Sequence, residues 1–163
     1  MSRTRDVTNA LIAKLGADDA LLALMPNGVY RLNRAPEGAT ALVTVALGAA
    51  TDHPMFNGRA DEDLRYTVLA MQRVQRGQSP SNVGAAASRI DALLEDGTLD
   101  SADFGVMVMQ RQVYLEDDGV TDPRDPSIAW DVCGGIYQVM VTTATAAIST
   151  WMQGGWVQEG WTQ

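Results

Sequence analysis

Side chains that carry out chemistry are scarce in this chain. Among 163 residues there is one His (His53), one Cys (Cys133) and one Lys (Lys14). A lone Cys excludes an intrachain disulfide, and the chain reads as reduced and intracellular in origin. His53 and Cys133 lie far apart, so no Cys/His cluster has zinc spacing, and no Ser or Cys pattern near His53 marks a nucleophile. Long apolar runs are missing too. The longest nearly charge-free stretch, residues 132–158, is interrupted by Gly134, Gly135, Gln138, several Thr and Gln153. It falls short of the ~20 apolar residues of a membrane span. The opening MSRTRDVTNALIAKLG has only short apolar pieces and an early Asp6, which speaks against a secretory signal. Positive charge is also short. A net charge of −8 argues against binding nucleic acid by neutralising phosphates.

What is present is a core-forming composition with uneven charge. Hydrophobic residues make up 46% of the chain, enough for one domain, which we place at residues 1–150. Residues 151–163 form a Trp- and Gly-rich C-terminal arm. Ten of the 20 acidic residues fall between Asp91 and Asp125, where only Arg111 and Arg124 offset them. All basic residues but Lys14 are Arg, which suits fixed ion pairs and interfaces.

The periodicity predicts an α+β fold: a mixed, mainly antiparallel sheet flanked by helices in the order α-α-β-β-β-α-β-β. Val7, Leu11, Ile12 and Leu15 have helical spacing, closed by Gly16. Asp18 and Asp19 open a second short helix, which Pro26-Asn27-Gly28 ends. Val29-Tyr30 reads as a short strand and residues 41–47 as a longer one, with Val43, Val45 and Leu47 on one face. Residues 48–63 read as a long connection with an Asn57-Gly58 turn signal. The strand at 64–74 then alternates and completes an antiparallel hairpin with an extended tip. Ser79-Pro80 reads as the start of a helix running to about Glu95, with Gly97 as its C-cap. Two long strands follow at 104–115 and 128–143, joined by an acidic loop at 116–126; Gly134-Gly135 signals a bulge or kink. Both strands are apolar on two faces. Helices can cover one face, and a neighbouring subunit is expected on the other.

Several positions invite a functional reading. Asp52 could orient His53 as a general base, though an ordinary loop His is the simpler reading, and Cys133 reads as a small buried hydrophobe. The acidic residues Glu116, Asp117, Asp118, Asp122 and Asp125 do not follow the calcium-loop pattern, and Pro123 and Pro126 interrupt them. They form either a solvated loop or a wall facing DNA or a basic partner. Trp151, Trp156 and Trp161 recur every five residues, a spacing that aligns on neither a helix nor a strand. Together with Met55 and Phe56 they are candidate subunit or partner contacts, since exposed Trp is enriched at interface hot spots.

Several segments carry a resemblance. They are DDALLALM, the turn PNGVY, APEGATALVTVALG, LRYTVLAMQRV, SPSNVGAAASRIDALLEDG, VMVMQRQVYLEDDG and IYQVMVTT. In this order, over about residues 7–143, they resemble the tail-terminator, or tail-completion, proteins of tailed bacteriophages. The Trp-rich arm has no place in that pattern. The resemblance implies a non-catalytic virion protein of the tail and neck, assembled in the host cytoplasm, with no cofactor and no membrane association. It implies a homo-oligomer, a hexameric ring. Its partners would be the tail tube protein on one side and a head-completion or neck protein on the other. DNA would pass through the bore without sequence-specific binding. The alternatives are another neck component, such as a head-completion or connector protein, and a soluble α+β ligand-binding domain. The last would need a pocket with convergent polar groups.

Overall fold

Helices cover one face of a five-stranded sheet, and the order of strands in that sheet decides which surfaces stay open. The computed structural model describes residues 3–55, 58–74, 81–99, 101, 103–122 and 125–142. The elements are α1 (Arg3–Gly16), α2 (Asp19–Leu24), β1 (Val29–Arg31), a 3-10 turn (Leu32–Arg34), β2 (Ala41–Met55), β3 (Gly58–Val74), α3 (Val83–Leu94), β4 (Gly105–Thr121) and β5 (Ala129–Thr142). The strands lie in the order β1-β2-β3-β5-β4. β1 pairs parallel to β2, and the other three pairings are antiparallel. The expected α+β class and element order therefore hold.

Alternation along the strands sends one set of side chains under the helices. Val43, Val45, Leu64, Tyr66, Val68, Ala70, Cys133, Tyr137, Val139 and Val141 are all buried there. Val7, Leu11 and Leu15 of α1, Leu21 of α2, and Val83, Ala86, Ala87, Ile90 and Leu94 of α3 meet them. The small Ala86 and Ala87 let α3 lie close to the sheet, while Leu11 fills space that an Ala would leave empty, at a cost of about 2–5 kcal/mol. Two hydroxyls tie α1 to the sheet. Tyr66 Oη donates to the Thr4 carbonyl at 3.0 Å and Thr8 Oγ1 donates to the same carbonyl at 2.6 Å. Burial pushes the Tyr66 phenol up to about 12, so it stays a protonated donor.

Several expected boundaries move. β2 and β3 form one long hairpin paired from Ala41↔Gln72 to Met55↔Gly58, so residues 48–63 are strands and not a loose connection. β4 runs on to Thr121, so the first part of the expected acidic loop is strand. Three shifts of register, between Val106 and Val108, between Arg111 and Val113 and between Asp117 and Val120, change which face β4 presents. Phe104 and Met109 are therefore both buried, although simple alternation puts them on opposite faces. Helix α3 begins at Val83 with Asn82 before it; the expected start at Ser79-Pro80 lies outside the described residues.

Register shifts fall in β2, between Leu47 and Ala49 and between His53 and Pro54, and in β4, not at Gly134-Gly135. β5 pairs with β3 without a shift there, Gly134 opposite Leu69 and Gly135 opposite Val68. A Cβ on Gly134 would collide with the Val68 carbonyl oxygen, and one on Gly135 would lie 2.6 Å from the Val113 carbonyl oxygen. The two glycines permit close approach of three strands. At the end of α3 the left-handed residue is Asp96 (φ 52). Gly97 is needed because a Cβ there would lie 2.7 Å from both the Leu93 carbonyl oxygen and Met109 Cε.

Two outcomes follow from these contacts. Gly134→Ala lowers stability by at least about 1–3 kcal/mol through overpacking. Gly84→Ala, in an exposed helical position with open space around it, raises stability by up to about 1 kcal/mol. Urea denaturation of the two variants checks the contrast. Asp18 caps α2 by accepting from Leu21 N at 2.7 Å and grips Arg89 through Nε at 3.0 Å and Nη2 at 2.6 Å. The Arg89 bond, then the Leu21 bond, hold its carboxyl below the ordinary 3.8. A depressed folded value contributes stability above the unfolded value and loses it as pH falls through the folded one. Asp18→Asn is therefore less stable than the natural chain near neutrality. The gap closes below about pH 3.8, a trend that denaturation at pH 2–7 would show.

Candidate subunit and partner interface

The acidic residues divide into two sets once β4 is extended. Glu116, Asp117 and Asp118 lie on the outermost strand and are exposed. Asp122 and Asp125 instead build the β4–β5 connection. Asp122 accepts from Trp130 Nε1 at 3.2 Å. Asp125 Oδ1 accepts from Ser127 N at 2.9 Å and Ser127 Oγ at 2.6 Å. Those two bonds, the side-chain one first, hold the Asp125 carboxyl below its ordinary range, with Arg73 adding to the effect.

The opposite end of the sheet is basic. Arg5, from α1, lines two adjoining clefts of ≈ 590 Å³ and ≈ 410 Å³ with Arg31 of β1 and Arg34 of the 3-10 turn. Arg31 Nη2 donates to Asn9 Oδ1 at 2.8 Å, which fixes its direction. Among the described residues, none of the three makes an ion pair with a carboxylate. Sequence reasoning missed this cluster because it concentrated on the net negative charge. The signal was available: up to Arg34 the chain has five basic residues (Arg3, Arg5, Lys14, Arg31, Arg34) against three acidic ones (Asp6, Asp18, Asp19).

The chemistry-bearing residues do not converge. His53 pairs with Asp61 near the hairpin tip, whereas Cys133 pairs with Ala70, nine positions further along β3. At about 3.4 Å per residue they are on the order of 30 Å apart. Cys133 is buried, and its Sγ lies 2.9 Å from Tyr114 Oη. The Arg111 guanidinium sits 5.2 Å over the Tyr114 ring. Asp91 of α3 accepts from both Arg111 and the Tyr137 hydroxyl. Tyr137 is pushed up by burial and then by Asp91, and Tyr114 by its bonds to Cys133 and Glu116 and by desolvation; both phenols stay protonated. This cluster joins α3 to β4 and β5 as a structural network. Among the described residues, no group of three His, Cys, Asp or Glu could hold a metal ion, and no helix is long and apolar enough to cross a membrane.

A cleft of ≈ 850 Å³ lies on the face away from the helices. Leu32, Pro36, Leu42 and Trp130 give it apolar walls; Arg73, Asp122 and Asp125 give it polar ones. Both carboxylates there already hold the turn, so the polar groups do not converge on an occupant. Further along that face, Thr67, Leu69, Met71, Val132, Ile136 and Met140 are half-buried and Val113 is exposed. The backbone of Met55 ends β2 at the hairpin tip; its side chain, Phe56, Trp151, Trp156 and Trp161 lie outside the described residues.

No family model and no curated protein matches the chain. Among solved structures, the fold is similar to a chain of the virion of a native gene transfer agent (GTA) particle. The TM-score is 0.55 and the identity 17%, over 83% of this chain and 94% of that one. At this identity the likeness is one of fold.

The division of the carboxylates predicts different costs. Asp122→Ala loses the Trp130 bond and lowers stability by about 1 kcal/mol. Asp125→Ala also lowers it, by opening the turn. Changing Glu116, Asp117 and Asp118 together to Gln and Asn leaves stability within about 0.5 kcal/mol. Thermal melts of the three variants check the order.

Proposed function

We propose that this chain is a structural protein of a tailed, phage-like particle that forms a ring on the end of the tail tube. The ring stops growth of the tube and joins it to the head-completion or neck proteins. The observation that carries this reading is the similarity of its whole fold to a virion chain, 94% of whose length is matched. The resemblance of the segments to tail terminators sharpens virion component to terminator. The two sheet edges agree with it. A ring is a head-to-tail assembly, so each subunit needs two different complementary patches, and the edges differ in charge. The role requires no catalytic group. Six subunits close the ring, the tube and a neck protein occupy its two faces, and DNA passes through the bore. Glu116, Asp117 and Asp118 face the bore or a basic partner surface. Met55, Phe56, Trp151, Trp156 and Trp161 contact a neighbouring chain.

The test is removal of the gene from its particle. Without a terminator, tubes overrun their normal length, and electron microscopy of lysates shows tails of irregular length with free heads. Normal-length tails that fail to join heads would instead mark a head-completion protein, and normal infectious particles would refute both. Deleting residues 154–163 gives a folded subunit that associates poorly, measured by recovery on purified tails. Full assembly and infection by that truncation would remove the arm from the interface.

A further inference from the structure

We propose that the acidic end of β4 docks into the arginine cleft beside β1 of a second copy of this chain, so that the sheets of neighbouring copies continue edge to edge. The proposal rests on the ring reading above and names its subunit contact.

The first support is register. Val29, Val43, Ala70, Cys133 and Glu116 occupy one row across the sheet, and Arg31, Val45, Val68, Gly135 and Tyr114 the next but one. Glu116 and Arg31 therefore share the helix-bearing face and differ in height by about 7 Å, two residues of strand. Two long side chains span that offset with a small stagger. The second support is direction. β1 runs parallel to β2, and three antiparallel steps lead from β2 to β4, so β4 is antiparallel to β1. A copy set alongside in the same orientation brings β4 against β1 as an ordinary antiparallel pair.

Charge then selects this arrangement over the competing one. Two β4 edges meeting across a two-fold axis near Asp117 would put Glu116, Asp117 and Asp118 of one copy against the same residues of the other, and like charges directly opposed are unfavourable. The arginine edge is free of that penalty and lacks a carboxylate partner within the described residues. Apolar surface accompanies the charges on both sides. Tyr114 is 48% and Val120 39% exposed on β4, and Leu47, 43% exposed, lines the arginine cleft. The two edges are different surfaces, so the contact is heterologous and can close into a ring.

The experiment uses the full chain at low and high salt with two charge-reversed variants, Arg31→Glu with Arg34→Glu and Glu116→Arg with Asp117→Arg. Circular dichroism and melts establish that each is folded. Because Arg31→Glu also loses the Asn9 bond, Arg5→Glu with Arg34→Glu serves as a second cleft variant. By sedimentation, the natural chain self-associates at low salt and less at high salt. Each variant alone associates at least tenfold more weakly, and an equimolar mixture of a cleft variant with the β4 variant restores association, because reversed β4 ends meet reversed clefts. A chain carrying Arg34→Cys and Asp118→Cys gives, on oxidation, a ladder of oligomers linked between these two positions. A natural chain that stays monomeric with no such ladder overturns the proposal, as does association untouched by either reversal. If the mixing result holds but particles carry no ring of this protein at the tube end, the terminator reading fails and the contact stands. If a ring is present and both reversed variants still build it, the contact fails and the terminator reading stands.

Discussion

One-sided burial is the constraint from which the rest of this molecule follows. The helices of the described residues occupy a single face of a broad sheet, and most of the large apolar side chains on that face are buried, Leu47 and Tyr114 at its two edges excepted. The other face keeps a central band of Leu69, Met71, Ile136 and Met140 that is only half covered. Among the described residues both edges remain available as well, because β1 is three residues long and β4, at 17 residues, has a neighbour on one side only. An edge that long offers a row of backbone donors and acceptors to any passing strand. Three consecutive carboxylates near its end, Glu116, Asp117 and Asp118, restrict that offer to a positively charged neighbour.

Electrostatics inside the subunit is arranged so that most of its buried or partly buried cations are engaged locally. Arg89 is held by Asp18, Arg111 by Asp91, and Arg3 lies 3.6 Å from the Glu62 carboxylate. Each links a helix to another element, which is where a fixed guanidinium fork adds geometry as well as attraction. Among the described residues, the arginines at the β1 edge make no such ion pair, and Arg31 bonds to Asn9. A chain with net charge −8 thus carries a positive edge in spite of its composition. The average hides the pattern, and an interface responds to the pattern.

Much of the fold was legible because its signals are local. Alternation in 64–74 marked β3 and its buried face correctly, from Leu64 through Ala70. Asp18 was identifiable as a helix start and does cap α2. What escaped depends on long-range pairing. Residues 48–55 carry polar residues and a proline, so they read as a loop. They become strand because β3 runs alongside them out to Gly58. The polar residues 116–121 are likewise held extended by pairing with β5, which no window of sequence contains. The inserted residues that reset the faces of β4 gave no local sign, whereas the glycine pair in β5, which did, serves close approach instead. The candidate interface was half legible. A run of like charges announces itself in sequence, but the arginine cleft joins Arg5 to Arg31 and Arg34 only after β1 is laid beside α1.

Among the described residues, the reactive side chains are dispersed over the sheet. His53 and Cys133 sit far apart on the sheet, the Tyr66, Tyr114 and Tyr137 hydroxyls are held protonated, and Asp91 is engaged by Arg111 and Tyr137. Several polar groups near the core have a mechanical task, joining helix to strand or holding a turn. Other polar and apolar groups lie at the sheet edges and on the uncovered face. A solitary subunit that kept a long acidic edge and an unpaired basic cleft would carry both electrostatic self-repulsion and exposed apolar surface. Setting one edge against the other removes both costs at once. It does so with different surfaces on the two sides, so copies can add in one sense of rotation until the last edge meets the first.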